Sequence, residues 1–202
     1  MNKIITIGRE FGSGGRELGR RLAEELGIAY YDREIIAEIA KRTELSEQYV
    51  QQIVEHRPLN LMPITIGHSI CPVPHPLMEQ NQEIYRQQAQ ILTEMSEKSD
   101  CVLVGRCADY ILAGRDNTIN VFVYAPRETR VNRIMARRNL SEAEALKAIT
   151  TSDKERGNHY FRYTDQKWGK AQNYDICINS ALMGIEKTAE MLTAMAKIEV
   201  RA

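Results

Sequence analysis

The chain has 202 residues, with 27 Lys+Arg against 27 Asp+Glu and so no net charge. That balance argues against the broad basic field that general nucleic-acid binding needs, and leaves local basic clusters to be explained. One α/β core is the default at this length, and with no leader-like or membrane-length apolar run the expectation is a cytoplasmic protein with no nucleic-acid or membrane partner.

Ile4-Ile5-Thr6-Ile7 reads as a short buried strand, followed at once by Gly8-Arg9-Glu10-Phe11-Gly12-Ser13-Gly14-Gly15. Leu18, Leu22 and Leu26 then share one helical face, and Gly27 supplies a C-terminal stop. Strand, glycine-rich loop and helix in that order can aim backbone N–H groups and a helix N-terminus at a phosphate. The P-loop pattern asks for two glycines separated by four residues, then Lys, then Ser or Thr. With Gly14 as the second glycine, the first-glycine position is Arg9, the lysine position is Gly15 and the next is Arg16. The dinucleotide fingerprint fits at Gly12 and Gly14 but ends on Glu17. A glycine-rich turn without a ligand stays open, although four glycines within residues 8–15 carry an entropic cost that favours a functional reason. Arg9 and Arg16 flank the loop and could supply the charge of the missing lysine.

Residues 28–32 form a second short strand, ending in Asp32-Arg33-Glu34 at the mouth of a helix over 33–42 with Ile35, Ile36, Ile39 and Ala40 on one face. Strand C-terminal ends gather ligands in open α/β sheets, so Asp32 is either a site group or a helix N-cap. Ser46 caps a helix running to about residue 56. Five prolines between 57 and 76 forbid regular structure there and suggest a mobile loop or lid edge. Its histidines show no metal-ligand spacing. Residues 77–99 read as a polar helix with Ile84, Ile91, Leu92 and Met95 as its buried stripe.

Cys101-Val102-Leu103-Val104 is the next buried strand, and Gly105-Arg106-Cys107-Ala108-Asp109 stands at its end, again where site groups are expected. A short helix from Tyr110 is broken by Gly114, and a fourth strand covers 119–124. Arg127, Arg130, Arg133, Arg137 and Arg138 make 127–138 the most basic segment, with only Glu128 opposing them. Arg130, Arg133 and Arg137 share a helical face, which is either solvated or turned to a phosphate or carboxylate. Ser141 caps a helix through Leu146 and Ile149 to about Gly157, followed by an aromatic-basic stretch from Tyr160 to Trp168. A strand over 175–179 and a helix over 184–196 close the chain. The five strands separated by helices imply a parallel sheet with right-handed crossovers. Cys71, Cys101, Cys107 and Cys177 contain no C-x-x-C pair, so buried reduced thiols are expected rather than disulfides.

Taken together, residues 5–17, Tyr31-Asp32-Arg33-Glu34, Val104 to Tyr110, the arginines after Ala125-Pro126, Asp153 to Arg156, and Trp168-Gly169 leading to Asn173-Tyr174-Asp175 resemble the cytidylate kinase-like family. That family is related to the nucleoside monophosphate kinases of the P-loop superfamily. The resemblance covers nearly the whole chain. It implies a single domain over 1–202 with a three-layer α/β/α P-loop kinase fold, a five-stranded parallel sheet, a monophosphate-binding helical insertion near 33–98 and an arginine-bearing lid near 127–165. Gly12, Ser13, Gly14, Gly15, Arg16 and Glu17 would hold the phosphates of the donor, ATP. Asp32, Arg33, Arg106, Asp109, Asp153 and Arg156 would bind the acceptor, and Arg16, Arg130, Arg133 and Arg156 would be catalytic. Mg²⁺ is the implied metal, with Ser13 or Glu17 as candidate ligands. Two departures from the pattern stand out: Gly15 replaces the lysine, and Gly105-Arg106-Cys107 replaces a Gly-Arg-Asp.

The activity implied is ATP-dependent phosphoryl transfer to a nucleoside monophosphate, CMP or dCMP first. A non-nucleotide acceptor and a nucleotide-binding regulatory protein without transfer activity are the competing readings. The base, the metal ligand and the oligomeric state are left open by the sequence.

Overall fold

The computed structural model describes residues 2–55 and 76–198. Five parallel strands, β1 (Ile4–Arg9), β2 (Ala29–Tyr31), β3 (Cys101–Val104), β4 (Thr118–Tyr124) and β5 (Ile176–Asn179), lie in the order β2-β3-β1-β4-β5. Helices α1 (Gly15–Leu26), α2 (Glu34–Thr43), α3 (Glu47–Glu55), α4 (Pro76–Lys98), α5 (Ala108–Ile111), α6 (Arg127–Arg138), α7 (Glu142–Thr164) and α8 (Ser180–Lys197) connect and cover them.

Strand alternation sorts the core into two sides. Ile5, Ile7, Val102, Val104, Val121 and Val123 face α1 and α8, meeting Leu18, Leu22, Ala189 and Leu192. Ile4, Cys101 and Leu103 face the other way, into a cluster with Ile35, Ile39, Val50, Ile84, Ile91 and Leu92 from α2, α3 and α4. The result is the expected three-layer α/β/α arrangement. A smaller third cluster of Val131, Ile134, Ala145 and Ile149 joins α6 to α7 and packs on Phe11 of the glycine-rich loop. Only 139–141 separate these two helices, with Asn139 left-handed at φ 51° and Ser141 closing a capping box with Glu144.

Several expectations change in detail. The aromatic-basic stretch from Tyr160 is not a separate segment: α7 continues through Gly157 to Thr164 and ends on left-handed Asp165. The last helix starts earlier, at Ser180, with Gly184 (φ 80°, ψ 167°) as a kink where its start was expected. Asp32 is not an N-cap; Arg33 occupies that position without a side-chain cap bond. Cys101 and Cys107 are buried free thiols, whereas Cys177, on edge strand β5, is a free thiol exposed to solvent. The proline-rich stretch, its histidines and Cys71 lie outside the described residues.

Candidate phosphate site

The site is built where β1, β2 and β3 end. Beyond β1 the chain turns through Gly12 (φ 81°) and Gly14 (φ 85°) into the first turn of α1. Both torsions lie in the left-handed region that glycine adopts without strain. An added Cβ on Gly14 would also stand 2.4 Å from Ile185 Cδ1 and 3.0 Å from Arg133 Nη1. The first-turn N–H groups of α1 have no acceptor within the helix and carry its positive dipole end.

The loop is fixed from one side by α6 and α7. Arg130 donates to the Phe11 carbonyl at 3.3 Å and to Asp153 Oδ2 at 2.5 Å, with Glu10 Oε2 3.4 Å away. Asp153 Oδ1 accepts the Phe11 N–H at 2.7 Å. Arg133 donates to the Gly12 carbonyl at 2.8 Å and Arg156 to the Arg9 carbonyl at 3.0 Å. Phe11 lies under two guanidinium groups, Arg138 at 4.9 Å and Arg156 at 5.5 Å from its ring centre. Burial and neighbouring Arg137 lower the Arg133 pKa. Ser13 is fully buried. Its hydroxyl donates to the Glu10 carbonyl and accepts the Gly15 N–H, and its own carbonyl accepts from Ser180. Glu17 pairs with Arg137 and Arg21.

Beside the loop lies a cleft of about 320 Å³. Among the described residues Arg9, Arg16, Arg33, Arg106, Arg138 and Arg156 line it against two acids, Asp109 and Glu155, with Tyr160, Trp168 and Tyr174 as aromatic wall. So many like charges around one space suit a ligand carrying several negative charges. Asp32, buried at the end of β2, accepts from Arg16 Nη2 at 3.4 Å, with Arg16 Nε 2.6 Å from its other oxygen, and stands 4.0 Å from Arg9. Burial and the charge of Arg156 pull the Arg9 pKa down to about 9, with Asp32 opposing them. The turn after β3 puts Gly105, Arg106 and Cys107 at φ 72°, 61° and 54° in succession. For the two non-glycine residues this stores about 1–3 kcal/mol each, a cost met most often at ligand sites. Buried Gln88 holds the turn by donating to the Arg106 carbonyl at 2.9 Å. Asp109 accepts the Tyr160 hydroxyl at 2.7 Å; burial raises its pKa and that bond opposes the rise.

Of the sequence-predicted residues, Arg16, Arg33, Arg106, Asp109 and Arg156 line the cleft, with Asp32 beneath them. Gly12 to Gly15 form the loop, while Arg130, Arg133 and Asp153 dock against it and Glu17 pairs outside it. Arg138 and Tyr160 were legible only as parts of a basic helix and an aromatic stretch, Trp168 as the end of that stretch and in the family resemblance, and Tyr174 only in the resemblance. Among the described residues no group of three or more His, Cys, Asp or Glu could hold a metal ion.

His159 also lines the cleft, packed on Tyr163, and burial together with Arg106 lowers its pKa to about 3. Below pH 6.5 the unfolded imidazole takes a proton that the folded one refuses, so stability is expected to fall as pH drops from about 6.5 toward 3. Urea midpoints at pH 7, 6 and 5 should fall more steeply for wild type than for His159→Gln. Parallel curves would show that the folded imidazole protonates normally.

Comparison with known proteins agrees with this geometry. The chain is 24% identical over 203 residues to the cytidylate kinase of Methanopyrus kandleri, covering 96% of this chain and 93% of the relative. It is similar to the crystal structure of an uncharacterized protein from Eubacterium ventriosum, at 28% identity and TM-score 0.72, covering 98% and 100% of the two chains. Shikimate kinase from Acinetobacter baumannii, at 17% identity and TM-score 0.54 over 100% of this chain and 96% of its own, shares the fold. With the cytidylate kinase-like family model matching residues 4–182, the chain belongs to that family of P-loop kinases.

Proposed function

We propose that the protein transfers the γ-phosphoryl group of ATP to a nucleoside monophosphate, with CMP or dCMP as the acceptor. The observation that carries this reading is the six-arginine cleft opening beside the glycine-rich loop. Family membership and relatives that are cytidylate kinases support it.

An acceptor phosphate is ionised at neutral pH, so the reaction needs no general base. It needs alignment and neutralisation of charge spread over the moving phosphoryl group. The loop N–H groups from Gly12 to Glu17 would hold the donor phosphates. Arg106, Arg33 and Arg156 would grip the acceptor phosphate, while Asp32 orients Arg16 and Arg9. Arg130, Arg133 and Asp153 would act by fixing the loop that aligns the donor. Helices α2 to α4, within 33–98, would form the monophosphate-binding insertion and 127–165 the lid. The loop fits ATP: it has turns that only glycine makes easily, and it leads into the N-terminal first turn of α1, whose N–H groups suit phosphate. A resident magnesium site fits less well, because the Ser13 hydroxyl is bonded inward and Glu17 faces two arginines. Mg²⁺ would be carried chiefly by the phosphates.

The test is ADP release with ATP and Mg²⁺ and each of CMP, dCMP, UMP, AMP and GMP. Turnover of about 1–100 s⁻¹ with CMP or dCMP, at least tenfold above the others, is the expected result. No release with any monophosphate, beside intact ATP binding, would favour a non-nucleotide acceptor or a regulatory role.

A further inference from the structure

We infer that Arg9 is the cation of the phosphate loop, the lysine and the first glycine of the P-loop pattern having exchanged places. The inference rests on the phosphotransfer reading and deepens it. In the pattern a glycine stands six residues before the lysine; here Arg9 stands six residues before Gly15.

In space the two departures compensate. A Cβ on Gly15 would stand 2.5 Å from Arg9 Cβ and 3.1 Å from its Cγ, so the room for a lysine stem holds the arginine stem. A third glycine follows from the same side chain: a Cβ on Gly105 would stand 1.6 Å from Arg9 Nη1 and 2.8 Å from Cζ. Arg9 thus reaches from the end of β1 across Gly15 to the turn after β3, where its guanidinium lines the cleft with Arg16, Arg106 and Arg156. Arg16, the other candidate, has its Nε on Asp32 at 2.6 Å and a side chain 47% exposed.

Crowding by burial and Arg156 makes the Arg9 charge costly, and a bound phosphate would relieve that. The planar fork matches two phosphate oxygens at once, which an ammonium cannot do. Asp32, 4.0 Å away, is then a positioning residue for Arg9 as well as Arg16.

The experiment uses the full chain as wild type, Arg9→Ala, Arg9→Gly, Gly15→Lys and the double variant Arg9→Gly/Gly15→Lys, which restores glycine and lysine to their pattern positions. Each is measured for thermal melting, for Mg-ATP binding by calorimetry and for ADP release with CMP. Arg9→Ala and Arg9→Gly are expected to bind Mg-ATP at least tenfold more weakly. Gly15→Lys alone should melt lower and bind poorly, because its stem meets Arg9. The double variant should regain at least tenfold in affinity over Arg9→Gly. Wild-type affinity and turnover in Arg9→Ala would overturn the assignment, and so would a double variant, folded or not, that binds no better than Arg9→Gly. A wild type that binds no Mg-ATP would instead remove the phosphotransfer reading itself, and this inference with it.

Discussion

Arg156→Ala is expected to lower phosphoryl transfer by about 10²–10³-fold, or about 3–4 kcal/mol of barrier, with the fold retained. Arg156 lines the cleft, donates to the Arg9 carbonyl and lies over Phe11. On the proposed phosphotransfer reading it would meet charge on the moving phosphoryl group, while its contact with the loop keeps it aimed. The loss should appear in kcat more than in KM, since stabilisation that grows toward the transition state acts on turnover. Arg156→Lys keeps the charge but not the fork and should fall between the two. Steady-state ADP release at saturating ATP and CMP decides it: unchanged kcat in Arg156→Ala would take this residue out of the chemistry.

The second large effect is on stability. Asp153 accepts both the Phe11 N–H and the Arg130 guanidinium. Asp153→Ala leaves Arg130 with Glu10 as its remaining carboxylate at 3.4 Å and removes the acceptor of a loop N–H. The pair is mostly but not fully buried, so a loss of about 2–4 kcal/mol is expected, below the full cost of breaking a buried pair. For a chain of this size that corresponds to a melting temperature lower by roughly 5–15 °C. Asp153→Asn keeps an acceptor for Phe11 and should lose about half as much. A melting temperature within about 1 °C of wild type in Asp153→Ala would show that the loop holds its shape without this anchor.

The unit from β1 through the loop to α1 was legible because everything that shapes it is local: an apolar run, glycines at tight turns, leucines one helical turn apart. The arginine face of 127–138 was legible too, as periodicity. What periodicity cannot give is the direction in which each arginine turns, which depends on α7. Arg130 is drawn to Asp153, 23 residues on, and Arg133 to a backbone carbonyl of the loop. Asp32 had two readings of equal merit because an aspartate before a helix usually caps it. Here Arg16 and Arg9, brought close by the β1–α1 turn, draw the carboxylate away. Gly157 looked like a helix end, yet helix α7 runs on to Thr164, with Tyr160 bonded to Asp109 across the cleft. Tertiary contacts outweigh about 1 kcal/mol of unfavourable glycine propensity. The partnership of Arg9 with Gly15 was invisible for a related reason. Each looked like a separate defect in a motif, and only their separation in space shows that one side chain occupies the room the other lacks.

The position of β1 in the sheet also sets an order of events during synthesis. Ile4 pairs with Cys101 on one side and Thr118 on the other, and β2 likewise waits for β3. None of the described strand pairs can close on a nascent chain until β3 has been made, and such long-range closure is the slow part of folding. The loop waits longer still, because the Phe11 N–H is held by a carboxylate 142 residues downstream. The loop thus takes its final shape only once α7 and the start of α8 have been made. A phosphate ligand can stabilise the finished chain, but it cannot serve as a nucleus around which the rest assembles.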